Sequence, residues 1–165
     1  MDAQKGSESK NRTNVERTSD RELVVTRTFN GPVHIVYAAW TTPDLMKRWW
    51  VPRSIPMSML SCEMDVRVGG GYRLVFSMEG HEPMAFFGKY TEVVPDARLV
   101  WTNEEGEAGT SVTTVTFEEL DDRRTLVVMT EEFPSKEACD AAGTGAADAT
   151  HETFDQLDEL LIELA

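Results

Sequence analysis

The stretch GYRLVFSMEGHEPMAFFGKY, residues 71–90, places bulky apolar side chains at alternate positions on both sides of a turn. Tyr72, Leu74, Phe76 and Met78 occupy alternate positions before the turn residues Glu79-Gly80, and Phe86, Gly88 and Tyr90 do so after them. A period of two on both sides of a turn predicts an antiparallel hairpin whose bulky apolar rows share one face. The same period predicts strands near 57–66, 71–78, 84–94, 98–103, 111–119 and 124–133. Their short connections carry Pro95-Asp96, Glu105-Gly106 and Asp121-Asp122, so successive strands pair as a meander. Gly69-Gly70-Gly71 marks a tight turn or a bulge.

Upstream of this run, Glu22 to Phe29 is rich in Val and Thr and reads as a further strand, ended by Asn30-Gly31-Pro32. Val33, Val36, Tyr37 and Trp40 then recur at i, i+3, i+4 and i+7, one apolar stripe on a short helix. Thr42 and Pro43 start a second helix, with Leu45/Trp49 and Met46/Trp50 as i, i+4 pairs and Pro52 as its stop. Downstream, Ala146, Thr150, Thr153, Leu157, Leu160, Leu161 and Leu164 predict a long amphipathic helix. Gly143 and Gly145 separate it from a short helix or turn over Ser135 to Ala142.

Residues 1–20 hold only Met1, Ala3 and Val15 as apolar side chains and are expected to be a disordered tail, leaving 21–165 as a single domain. The acids Asp2, Glu8, Glu16 and Asp20 balance Lys5, Lys10, Arg12 and Arg17 in that tail, so the whole formal charge of −13 falls on the remainder. A surface of that sign repels phosphates and anionic headgroups, which argues against nucleic-acid and membrane partners. No apolar run approaches the roughly 18–20 residues of a membrane span, and no N-terminal apolar leader is present, so a cytoplasmic location is expected. The cysteines Cys62 and Cys139 stand far apart without metal-ligand spacing and are expected as free, buried thiols.

One helix covering one sheet face makes an α+β arrangement in which the sheet must curl around the helix. The first half of that helix carries Ala146, Ala147, Ala149 and Thr150 and turns Leu-rich only after Phe154. Either its backbone approaches the sheet closely there, or a void remains among the aromatic and Met rows, the usual form of a ligand pocket. The candidate lining set is Trp49, Trp50, Met59, Tyr72, Leu74, Phe76, Met78, Phe86, Tyr90, Trp101, Phe117, Met129, Glu131, Thr150, His151 and Phe154. Of Trp49 and Trp50, one is expected at the pocket lip and one in a core corner.

Three segments carry a family resemblance: FNGPVHIVYAAWTTPDLMKRWWVP (29–52), CEMDVRVGGGYRLVF (62–76) and GKYTEVVPDARLVWT (88–102). In them the chain resembles the bacterial AHSA-type proteins, homologues of the activator of the heat-shock chaperone ATPase, in the START/SRPBCC helix-grip superfamily. The resemblance implies a β-α-α-β6-α order, like the birch pollen allergen: a curved antiparallel seven-stranded sheet around a long C-terminal helix. It also implies a chaperone or other protein as a partner, and a stress-response setting. The chain departs from the family pattern where a Gly-Trp pair gives way to Ala149-Thr150, and where His gives way to Glu131.

No phosphate-binding loop or G-x-S-x-G elbow occurs, and Gly143-Thr144-Gly145 follows a helical stretch, unlike a dinucleotide fingerprint. No cofactor is expected, and no metal, since His34, His81 and His151 lie on separate segments. Asp65 and Arg67 read as a local ion pair that fixes strand geometry beside the glycine turn. Glu131, if inward, is the one weak candidate for acid–base chemistry, with Tyr90 and His151 as alternatives. Three functions follow: binding of a small hydrophobic or amphipathic ligand, a co-chaperone-like interaction, or an enzyme of the aromatase/cyclase kind.

Overall fold

The computed structural model describes residues 13–104, 109–121, 123–143 and 146–164. Eight strands form one sheet: β1 (Asn14–Ser19), β2 (Glu22–Phe29), β3 (Met57–Met64), β4 (Gly71–Met78), β5 (Met84–Val94), β6 (Arg98–Asn103), β7 (Ser111–Asp121) and β8 (Arg124–Glu132). Their order across the sheet is β1-β2-β8-β7-β6-β5-β4-β3, and every neighbouring pair is antiparallel. The expected count of seven is corrected by β1, in a segment expected to be disordered. β1 has only Val15 as an apolar side chain and gains its order from pairing with β2, where Val15 stands opposite Val25. Residues 1–12 lie outside the described residues, as do Glu105-Gly106, Asp122, Thr144 and Gly145.

Four helices complete the fold: α1 (Val33–Thr41), α2 (Pro43–Trp49), α3 (Lys136–Gly143) and α4 (Ala146–Leu164). α1 and α2 share Thr42 as a hinge, which accepts from Leu45 and Met46 through its backbone carbonyl and makes no side-chain cap. Pro43 then starts α2, since its missing N–H loses nothing in a first turn. Ser135 caps α3 by accepting from the Ala138 N–H at 3.1 Å.

α4 lies over the concave face, as in the helix-grip fold. Phe154, Leu157, Leu160 and Leu161 recur at helical spacing and pack with Phe29, Val115 and Val127 of the sheet. Two polar devices fix its position. Arg27, only 2 % exposed, reaches Asp158 at 2.7 Å and Asp155 at 2.8 Å. Burial pushes the Asp158 carboxyl above the ordinary carboxylate range, outweighing its bonds from Arg27 and the Asn30 N–H. Gln156, also buried, donates to the carbonyls of Trp49 and Val51 at 3.1 and 2.9 Å and accepts from the Arg53 N–H at 2.9 Å. One amide thereby closes the open C-terminal end of α2 and pins α4 across it.

The backbones of β5 and β6 approach closely at Gly88. A Cβ on Gly88 would lie 1.8 Å from the Thr102 carbonyl oxygen, so only glycine lets the two backbones approach this closely. Gly70 plays the same part before β4, where a Cβ would meet the Asp65 carbonyl oxygen at 2.1 Å. Replacing Gly88 by Ala forces the backbone of β6 outward. Chemical denaturation of Gly88→Ala is expected to show a loss of about 1–3 kcal/mol, the usual cost of overpacking; an unchanged midpoint would refute the close approach.

Candidate functional site

The concave face carries one row from every inner strand. Leu23 and Val25 lie on β2; Met129 and Glu131 on β8; Thr113, Val115 and Phe117 on β7; Leu99 and Trp101 on β6; Tyr90 and Phe86 on β5; Phe76, Leu74 and Tyr72 on β4. Near Phe29 and Leu161 the face is filled solidly. Toward the other end it is not, and two adjoining chambers open there.

The larger chamber measures about 460 Å³, within the range of small-molecule sites. Its floor is Tyr72, Leu74, Phe76, Phe86, Tyr90 and Trp101; Met57, Met64 and Met84 form its side, and Trp40, Met46 and Trp50 its roof. Among the described residues none of α4 lines it. The void expected beneath the slender start of α4 therefore lies mainly beneath α1 and α2. The smaller chamber, about 270 Å³, does meet α4 through Thr150, Thr153 and Phe154, opposite Trp49, Thr113 and Met129. The side chains of Ala146, Ala147 and Ala149 fall outside the described residues.

Trp50, Trp101, Asn103 and Glu131 line both chambers and so form the junction between them. This junction is polar. The Tyr72 hydroxyl lies 2.8 Å from the Thr102 carbonyl oxygen and 2.7 Å from Asn103 Oδ1, and gives its single proton to one of them. Asn103 Nδ2 donates to Thr113 Oγ1 at 2.9 Å, and Thr113 is the cross-strand partner of Glu131. A file of polar groups thus crosses from β4 to β8 through an otherwise aromatic wall.

Twelve of the sixteen residues expected to line a pocket do line one chamber or the other. Four do not. His151 is half exposed on the outer face of α4, with Nε2 3.7 Å from Asp155, because a position one before Glu152 turns away from the sheet. Phe117 is buried in the solid core against Tyr37 and Trp40. Met59 and Met78 lie beside the larger chamber on β3 and β4 without lining it. Trp49 is fully buried with its indole N–H on the Ala39 carbonyl at 3.0 Å, whereas Trp50 is half-buried at the junction.

In the larger chamber, sequence reading missed Trp40, Met46, Met57, Met64, Met84, Asn103, Ser111 and Phe133. The β3 residues were hidden by a bulge between Met59 and Ser61, which puts both Met57 and Met64 on the chamber side although they are seven positions apart. Asp65 and Arg67 pair at 2.8 Å on the surface, and His34 and His81 are exposed. Among the described residues no group of three His, Cys, Asp or Glu side chains could hold a metal ion, and no helix is long and apolar enough to cross a membrane.

Residues 30–162 match the family model described as Activator of Hsp90 ATPase homolog 1-like protein. No curated protein matches the chain. Solved structures superpose along nearly its whole length. A Rhodobacter sphaeroides protein has a TM-score of 0.83 at 23% identity, covering 93% of this chain and 99% of its own. A Nitrosomonas europaea protein gives 0.80 at 22% identity, covering 91% and 99%, and a Mycobacterium smegmatis protein 0.76 at 22%, covering 93% and 99%. Similarity at these identities establishes the fold.

Cys62, opposite Leu74 on the chamber side of β3, reports on how dry this region is. Burial pushes its thiol from 9.0 to about 11, because desolvation penalises the thiolate. In a Cys139→Ser background the alkylation rate of Cys62 should stay low at pH 8 and rise toward an inflection near 11; an inflection at or below 9.0 would show a solvated site.

Proposed function

Since the chain belongs to the Activator of Hsp90 ATPase homolog 1-like family, we propose that it works as a helix-grip binding module that holds a small hydrophobic or amphipathic molecule between its sheet and its helices. The observation that carries this reading is the larger chamber. Tightly packed interiors leave few voids beyond the size of a water molecule, yet here about 460 Å³ stays open beside a core filled to completion. Methionines in its side and roof give it an adaptable wall, since an unbranched thioether side chain repacks around guests of different outline. The polar file at the junction supplies the few oriented groups that such a pocket needs.

Leu74 sits on the chamber floor and is 5 % exposed. Replacing it with Trp fills the chamber from within and leaves the outer surface unchanged. A neutral fluorescent probe, N-phenyl-1-naphthylamine, is expected to bind the wild type and to lose at least about tenfold in affinity to Leu74→Trp, the equivalent of two methylenes no longer buried. Equal affinity in both proteins would sink this reading. The family relationship also supports a co-chaperone-like role with a protein partner, and the same variant separates the two roles: a protein contact on the outer surface survives a filled chamber.

A further inference from the structure

The hydrogen-bond donors of the larger chamber narrow the class of guest, and this step rests on the binding role proposed above. Polar groups at the junction spend their bonds on one another: the Tyr72 hydroxyl on Thr102 or Asn103, and the Asn103 amide on Thr113. Two lining groups do not. The Tyr90 hydroxyl and the Trp101 indole N–H have no hydrogen-bond partner among the described residues, although Tyr90 is 4 % exposed and Trp101 9 %. Nor are they sealed in the core like the Trp40 indole nitrogen and Arg27 Nε, so each opens onto the chamber that its ring lines. Tyr90 stands directly opposite Trp101 across β5 and β6, with ring centroids 6.2 Å apart, and the two donors therefore share one stretch of wall. Burial pushes the Tyr90 phenol well above its ordinary 10.0, because desolvation penalises the phenolate, so it keeps its proton and donates at neutral pH.

A guest made only of hydrocarbon would shut both donors away from water and leave them unpaired, which counts against its binding. A protonated amine offers N–H groups and no acceptor, so it leaves them unpaired as well. A carboxylate could accept, yet among the described residues no Lys, Arg or His lines either chamber to offset the loss of its hydration. From this arrangement we infer that the natural guest is an uncharged apolar compound with a hydrogen-bond-accepting oxygen, a ketone or other carbonyl on a flat or extended body, held by Tyr90 and Trp101. A carbonyl oxygen has two lone pairs, one for each donor. The apolar body lies over Leu74, Phe76 and Phe86, on the rest of the floor.

Three probes of one shape test this: 1-acetylnaphthalene, 1-isopropenylnaphthalene, in which a methylene replaces the oxygen, and 1-naphthoate, each titrated at neutral pH to displace N-phenyl-1-naphthylamine. Tyr90→Phe keeps the ring and removes the hydroxyl. It is expected to weaken the ketone about fivefold, the scale of one net hydrogen bond, and to leave the alkene within about twofold. The infrared carbonyl stretch of the ketone on the wild type should lie below its position in hexane and move back toward it in Tyr90→Phe. Naphthoate should bind the wild type more weakly than the ketone. A ketone that loses no more than the alkene in Tyr90→Phe overturns the inference, as does a carbonyl stretch at the hexane position or a naphthoate that equals the ketone; in each case the binding role stands. Failure of N-phenyl-1-naphthylamine to bind the wild type overturns both. Should Tyr90→Phe not fold, the carbonyl stretch on the wild type decides alone.

Discussion

Every element that closes the concave face meets at Trp40. Its ring lies edge-on to Trp49 at 4.9 Å and to Trp50, Phe117 and Phe154 at 6.0 Å, and tilts against Trp101 at 6.4 Å. These neighbours come from α2 and its end, from β6 and β7, and from α4, so one side chain of α1 sets the spacing between both helical layers and the sheet. Its indole N–H is buried with no acceptor among the described residues, which costs about 1–3 kcal/mol. Each well-placed aromatic pair contributes roughly 0.5–1.5 kcal/mol beyond its buried area, so several together offset that cost. Packing rather than hydrogen bonding fixes this residue. On one side of it the interior is solid; on the other it opens.

That division explains what could be read in the sequence and what could not. The alternating rows of β4 and β5, the helix spacing of α4 and the Pro43 start of α2 are local signals, and each stands where local chemistry puts it. β1 was illegible for a physical reason. Asn14, Glu16, Arg17, Thr18 and Ser19 suit an edge strand, and β1 is one of the sheet's two edges, where charge discourages pairing with other chains. An edge strand ordered by its neighbour's hydrogen bonds leaves little apolar trace. Its order comes from a pairing that no single-segment reading contains.

The site was legible to the extent that alternation held. Tyr72, Leu74, Phe76, Phe86 and Tyr90 follow it and lie on the chamber floor. At the bulge in β3 alternation fails, and with it the assignment of Met57 and Met64. The placement of the void was a subtler matter. Small residues at the head of α4 suggested where material was lacking, yet the larger space lies under the thin roof of α1 and α2. A void reflects the curvature of the whole sheet, set in part by Gly88, and residue size on one helix does not report it.

Charge is distributed with the same asymmetry. The acids of α4 are met by arginines: Asp158 and Asp155 by the buried Arg27, and on the surface Glu159 by Arg53 and Glu163 by Arg48. These arginines hold the helix down and direct their guanidinium groups to the helix's own carboxylates, away from the chambers. Surface charges of this kind are screened beyond about 8 Å at physiological ionic strength, so the overall acidity biases an approaching ion only weakly. A charge held in the interior is different, because little water reaches it to screen it. The ion pair that matters most to this fold is therefore the buried one, Arg27 with Asp158 and Asp155, which holds α4 across the sheet.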